Sequence, residues 1–362
     1  MEKVEQVMHK MVHLVPREGR ILIVGDGIIT YESELVRSGY AIDRLELCSG
    51  IGDNGLQMKL VITDGCTSSG RQRSKGLPQL PEGAYAAVLG IDFLDTCEKP
   101  KEMLGAFFNS LTPSGRLLVL QTASHPKNRD KAVIAGLIEA AGFRMDGVAA
   151  DDEVKPFTLA TAVKPKYYSE MGGYRFISAE TEEDLERVWR LRYEVYCLEL
   201  SVEPENDSGR LIDEHDEYGI HLLALDKSNT AIGTMRILPN NPKGFQMESD
   251  FPLQEYMKAN GIVKAAETGR FVIRKEVAGE ARMMASFGLF QLLSDYCMET
   301  GTNDVFGITH MGIVDKYEMD WVKQIGEPFR YPPPSTDTLF VPIHCDFRQA
   351  YREYLGRTTG DS

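Results

Sequence analysis

Four stretches of the chain concentrate side chains that can do chemistry. Leu191-Arg-Tyr-Glu-Val-Tyr-Cys-Leu-Glu199 spaces Arg192 and Tyr196 four residues apart, on one face of a helix. Ile212-Asp-Glu-His-Asp-Glu-Tyr218 carries Glu214 and Asp216, Ala231-Ile-Gly-Thr-Met-Arg-Ile-Leu-Pro239 carries Arg236, and Glu267-Thr-Gly-Arg-Phe-Val-Ile-Arg274 carries Glu267, Arg270 and Arg274. A carboxylate accepts a proton near neutral pH when burial raises its pKa. Glu214 and Asp216 are candidates for that task, with Glu267 next. A guanidinium grips a carboxylate through two parallel N–H bonds, so Arg236 and Arg270 could hold an acidic group of a ligand. The same residues also read as structure: an ion-pair network through Glu267, Arg270 and Arg274, a salt bridge at Arg192, and a solvated acidic loop over Asp213–Glu217.

Two sets of elements must position these groups. Short apolar runs at Arg20–Val24, Ile42–Leu47, Leu60–Thr63, Ala86–Gly90, Arg116–Gln121 and Thr158–Val163 predict strands. Helical stretches at Glu32–Ser38, Met103–Ser110 and Lys131–Ala141 lie between them, with a turn at Leu111–Gly115. That alternation predicts a doubly wound α/β sheet over 1–165. Its first strand ends in the turn Gly25-Asp-Gly27, where backbone can approach a ligand at a helix start. Glu46, ending the second strand, could hold a ribose diol, and Asp64, after the third, could accept from an adenine amino group. Residues 166–173, with Gly172-Gly173, read as a linker. The second domain, 174–362, opens with a strand at Tyr174–Ser178 and a helix capped at Thr181 that runs through Tyr196. A hairpin of His221–Leu225 and Ala231–Leu238 follows, then strands at Phe271–Ile273, Val305–Thr309 and Thr338–Ile343. The long helix Glu280–Thr300 ends at Gly301.

Composition narrows the function classes. The first 165 residues carry 19 basic against 21 acidic side chains, net −2, and the rest 21 against 33, net −12. So acidic a chain argues against a nucleic-acid partner, because phosphate contacts need a basic face. No apolar run approaches the length of a membrane-spanning helix, and no secretory signal opens the chain, so a cytoplasmic location is expected. The six cysteines are far apart and the histidines do not cluster, so no structural metal is expected.

Residues 15–165 look like a class I S-adenosylmethionine-dependent methyltransferase fold, on the strength of the Gly25 turn, Glu46, Asp64 and the phrase Leu111-Thr-Pro-Ser-Gly-Arg-Leu-Leu-Val119. Ile29 stands where that family has a third glycine. Two readings stay open, binding of S-adenosylmethionine and a scaffold for the second domain, both ahead of active methylation.

The four motifs, in order, resemble those of the acyl-homoserine-lactone (autoinducer) synthases. The Arg192–Glu199 string is closer still to the N-acyl amino acid synthases and to exosortase-associated acyltransferases. All share a GNAT-like fold, and the resemblance covers about 174–350. It implies amide formation from an acyl thioester: an ammonium loses its proton to Glu214, Asp216 or Glu267, and its nitrogen attacks the carbonyl. Phe271, Met283, Met284, Phe287 and Phe290 could line an acyl pocket or simply pack the core. Gly219 replaces the last acidic residue of the autoinducer motif, which favours an amino acid or related amine as acceptor over S-adenosylmethionine. Arg274–Ala281 departs from the pyrophosphate loop of coenzyme-A-dependent GNAT enzymes, which favours acyl carrier protein as donor, docked on Lys264, Arg270, Arg274, Lys275 and Arg282. A catalytically inactive two-domain ligand sensor is the alternative of another class.

Overall fold

The computed structural model describes residues 19–25, 35, 41–48, 57–64, 67–75, 80–97, 99–122, 130–151, 157–311, 321–330 and 339–349. They form two units, Met1–Lys166 and Tyr167–Ser362.

The first unit is built on one sheet. Its strands are β1 (Arg20–Val24), β2 (Ala41–Cys48), β3 (Gln57–Asp64), β4 (Thr67–Lys75), β5 (Tyr85–Ile91), β6 (Leu111–Thr122), β7 (Arg144–Asp151) and β8 (Phe157–Val163), in the order β4-β3-β2-β1-β5-β6-β8-β7. Its described helices are α1 (Phe93–Thr96), α2 (Pro100–Ser110) and α3 (Lys131–Glu139). The four central strands β2, β1, β5 and β6 are parallel. Ile21, Leu22, Ile23 and Val24 are all buried, as both faces of a parallel sheet must be when helices cover them. The expected helix at Glu32–Ser38 lies outside the described residues apart from Leu35. The expected turn at Leu111–Gly115 survives as an irregular start to β6, with Ser114 at φ 57°.

The third strand departs from expectation. β3 runs antiparallel to β2, with Asp43 opposite Ile62 and Cys48 opposite Gln57. Only eight residues, 49–56, join the two strands. That is too short for the crossover of a dozen or more residues that a parallel pair needs. The reversal carries Asp64 to the opposite end of the sheet from Gly25, so the adenine-contacting position expected for Asp64 is lost. Gly25 has a structural reason of its own. It sits at φ 127°, and a Cβ there would lie 2.2 Å from the Ile91 carbonyl oxygen. Gly27 and the Glu46 side chain lie outside the described parts.

The second unit is a mixed sheet of β9 (Tyr168–Met171), β10 (Tyr174–Ser178), β11 (Ile220–Leu225), β12 (Ala231–Pro239), β13 (Ala265–Ile273), β14 (Asp304–His310), β15 (Val322–Gln324) and β16 (Phe340–Asp346), in the order β15-β16-β14-β13-β12-β11-β10-β9. Every neighbouring pair is antiparallel except β13 and β14. The expected linker 166–173 is instead the β9–β10 hairpin. Gly172 and Gly173, at φ 59° and 82°, supply the two positive-φ residues that a tight two-residue hairpin turn requires.

Helix α4 (Glu182–Tyr193) covers one face and α6 (Gly279–Thr300) the other; α5 (Leu253–Ala259) is a short helix between β12 and β13 in the chain. Thr181 caps α4 by accepting from the Asp184 amide. The α4 face buries Ile177, Val188, Leu191 and Leu223, and the α6 face buries Phe176, Leu222, Leu289 and Leu292. Gly288 lets α6 approach β10: a Cβ there would lie 2.3 Å from the ring of the fully buried Phe176. Gly288→Ala should therefore destabilise this unit by about 2 kcal/mol, despite the better helix propensity of alanine. Thermal melts check this, with a drop of about 4–8 °C expected.

Candidate active site

The four motifs converge on the α4 face of the second sheet. His221 on β11 lies opposite Arg236 on β12, Arg236 opposite Gly269 on β13, and Leu238 opposite Glu267. Residues directly opposite share a face, so His221, Arg236 and Glu267 all point to the side covered by α4. Arg192 enters from the last turn of α4, which then widens into a π-helical turn, Glu194–Glu199. That turn sets the Tyr196 ring 5.5 Å from the Arg270 guanidinium.

Arg270 reaches this face through a bulge. Between Thr234–Val272 and Arg236–Gly269, β13 uses one residue more than β12, and Arg270 takes φ 50°. Strict alternation would send Arg270 to the α6 face. The extra residue turns it to the α4 face and sends Phe271 across to meet Phe290 of α6, with ring centroids 5.4 Å apart.

The buried side chains form one hydrogen-bonded array. Arg192 Nη1 donates to Asp216 Oδ1 at 2.8 Å and Nη2 to His221 Nδ1 at 2.9 Å. His221 Nε2–H donates to the Asp216 carbonyl at 3.0 Å. Arg236 Nη1 lies 2.6 Å from both Asp213 Oδ1 and Asp216 Oδ1, and its Nη2 donates to Gln246. Arg270 donates twice to Asp213 Oδ2, at 2.8 and 3.0 Å, and once to Glu203 at 2.8 Å. Three guanidiniums thus face three carboxylates, which is how buried charge is tolerated.

Electrostatics separates the carboxyl groups. Burial alone would raise Asp213 and Asp216, but Arg236 with Arg270 holds the first, and Arg192 with Arg236 the second, below the usual range. Groups so stabilised as anions are weak bases. His221 is pushed down to about 4 by burial and by Arg192, so it is neutral at pH 7. Glu267 behaves oppositely. Burial raises it to about 7, against the amides of Met247 and Gln246 and the charge of Arg236, which favour the anion.

The expected residues thus fare differently. Arg192, Asp216, Arg236, Arg270 and Glu267 lie in or beside the array. Glu214 does not: its side chain is 68% exposed and paired with Lys243 at 2.6 Å. Arg236 and Arg270, expected to hold a ligand's carboxylate, are engaged by the chain's own. Asp213, Glu203, His221 and Gln246 complete the array without having been singled out. Asp213 was visible only as part of an acidic run.

A cleft of about 540 Å³ adjoins the array, lined by Leu185, Trp189 and Ile212 together with Asp213, Asp216 and Glu217. Gly219 also borders it; a Cβ there would lie 2.7 Å from Arg236 Cδ, so the arginine stem occupies the room an aspartate would take. The expected acyl pocket is more open. Phe271, Met283, Phe287 and Phe290 are 38%, 64%, 58% and 45% exposed, an apolar strip on α6 and the bulge, whereas Met284 packs partly into the core. Of the expected carrier-docking cations, Arg270 points inward and Arg274 pairs with Glu194 at 2.7 Å, while Lys275 and Arg282 remain exposed. Among the described residues, no group of three His, Cys, Asp or Glu is placed to hold a metal ion.

The α4–α6 span, with the array inside it, decides the kind of domain. Residues 191–286 match the acetyltransferase (GNAT) domain family. The second unit accordingly carries a GNAT acyltransferase domain, as its ordered motifs implied. Solved structures similar to the chain include FeeM, an N-acyl amino acid synthase from uncultured soil microbes, with 19% identity, TM-score 0.36, and coverage of 48% of this chain and 90% of that one. BjaI, a CoA-dependent acyl-homoserine lactone synthase, has 21% identity, TM-score 0.39, and coverage of 51% and 88%. The AHL synthase LasI has 16% identity, TM-score 0.37, and coverage of 48% and 89%. No curated protein matches the chain.

Proposed function

We propose that the GNAT domain transfers an acyl group from a thioester to an amine, with Glu267 as the proton acceptor. Glu267 itself carries the reading. It is a buried carboxyl titrating near 7 on the strand where the β13–β14 ladder stops. That ladder ends at Thr268–Gly307 although both strands continue, to Ile273 and His310. Beyond this point the two strands no longer pair, and the exposed strip of Phe271, Phe287 and Met283 suits an acyl chain. The ammonium gives one proton to Glu267, its nitrogen attacks the thioester carbonyl, and the thiolate leaves with the second proton. Amide and thiol are the products.

Acyl carrier protein is the donor we favour. Arg274 is engaged by Glu194, and Glu276 and Glu280 flank the start of α6, so that helix end offers a poor cradle for a pyrophosphate. Lys275 and Arg282 offer positive charge to an acidic carrier. The test incubates the purified protein with acyl carrier protein or acyl-coenzyme A and an amine, reading free thiol and the acyl-amide mass. Amine-dependent thiol release, faster from the carrier protein, is expected. No release from either donor with any amine overturns the reading.

A further inference from the structure

We infer that the cleft beside the buried array is the acceptor site and that it takes a cationic amine without a free carboxylate. This rests on the acyl-transfer reading above and narrows its acceptor. An ammonium needs oxygen acceptors, and a carboxylate needs N–H or O–H donors. Asp213, Glu214, Asp216 and Glu217 line the cleft, Glu214 paired with Lys243, and no lysine or arginine is among the lining residues. The one titratable donor there, the His221 Nε2–H, is given to the Asp216 carbonyl. Arg192, Arg236 and Arg270, which do not line the cleft, are bound to Asp213, Asp216, His221, Gln246 and Glu203. A ligand carboxylate would lie against oxygens of its own charge, and freeing a guanidinium for it would strand a buried aspartate. Glu217 is exposed and makes no ion pair among the described residues, which leaves it for the ammonium. Trp189, Leu185 and Ile212 in the same lining suit an aliphatic or aromatic body. Arg236 binds Asp213 and Asp216 at the cleft and also Gln246, whose backbone amide faces Glu267, which links the cleft to the proton acceptor.

The chain has two tryptophans, Trp189 and Trp321. Trp321→Phe therefore leaves the cleft tryptophan as sole reporter. L-Leucinamide and L-leucine differ at the carboxyl group and share one side chain, so they isolate the point at issue. Titration of each, without any acyl donor, should shift Trp189 emission with a Kd at least about tenfold lower for the amide, and Glu217→Gln should narrow that gap severalfold. Calorimetric titration of the unaltered chain gives the same comparison should the Trp321 variant fold poorly. Equal or tighter binding of L-leucine or of S-adenosylmethionine overturns the inference, as does no binding of L-leucinamide. Thiol release that proceeds with amino acids but not with their amides sinks this inference alone, whereas no release with any amine sinks the acyl-transfer reading.

Discussion

Glu267→Gln should slow amide formation by about 10²–10⁴-fold, the usual contribution of a positioned general base. In the unaltered protein kcat/KM should rise with pH through about 7, as the carboxyl loses the proton that burial makes it keep. The glutamine variant should lack that limb and retain only the rise that follows the amine's own titration. Stability offers a second readout of the same group. An unfolded glutamate titrates near 4.5 and this one near 7, so between those values the folded chain holds a proton that the unfolded chain has released. Stability therefore falls as pH rises from 4.5 to 7, and above 7 it stays lower by about 3 kcal/mol. Melting temperatures from pH 4 to 9 should show this decline in the parent and a flatter profile in Glu267→Gln. A variant that keeps both the pH limb and most of its rate removes Glu267 from the chemistry.

Arg192→Met should cost about 3–5 kcal/mol of stability, far more than loss of an exposed ion pair. Arg192 is fully buried, and its removal leaves Asp216 with Arg236 as its remaining guanidinium and His221 Nδ1 without its donor. The deficit should be largest above the pKa of Asp216, because the carboxylate is then charged and half-compensated. Urea unfolding of the full chain at pH 7, where the carboxylate is ionised, measures it. Asp216→Asn in the Arg192→Met background should recover part of the loss, since the uncompensated charge is gone. A cost below about 1 kcal/mol, or no recovery, would mean that the array does not couple these residues.

Much of this was legible in the residues. The hairpin around Asp226–Thr230, the α4 cap at Thr181 and the Gly301 stop of α6 follow from local rules and are where those rules put them. The convergence of Arg192, Asp216, Arg236, Arg270 and Glu267 was legible as an ordered set of motifs, not as geometry. What escaped depends on distance in the chain. Asp213 and Glu203 matter because Arg270, 57 and 67 residues away, turns towards them. Asp64 was misplaced because strand direction was assumed: the predicted bounds left residues 48–59 for a crossover, and the longer observed strands cut this to 49–56, too few for a helix. Glu214 and Asp216 are two apart and looked equivalent, yet one faces solvent beside Lys243 and the other lies under Arg192. Gly172-Gly173 suggested looseness and is instead the tightest kind of hairpin turn.

The bulge at Arg270 also governs how this strand can change. A strand normally assigns odd and even positions to opposite surfaces, so neighbours have separate environments and can vary independently. Here a phase shift gives Gly269 and Arg270 to the ionic side, and every later residue inherits the altered parity. Deleting a single residue from this stretch would restore the ordinary rhythm. Without Arg270 the other residues would keep their surfaces but the ionic side would lose a guanidinium; without Phe271 the same rhythm would turn Arg270 onto the apolar strip. The strand can accept substitutions one at a time, but its length at this point is fixed by both surfaces together.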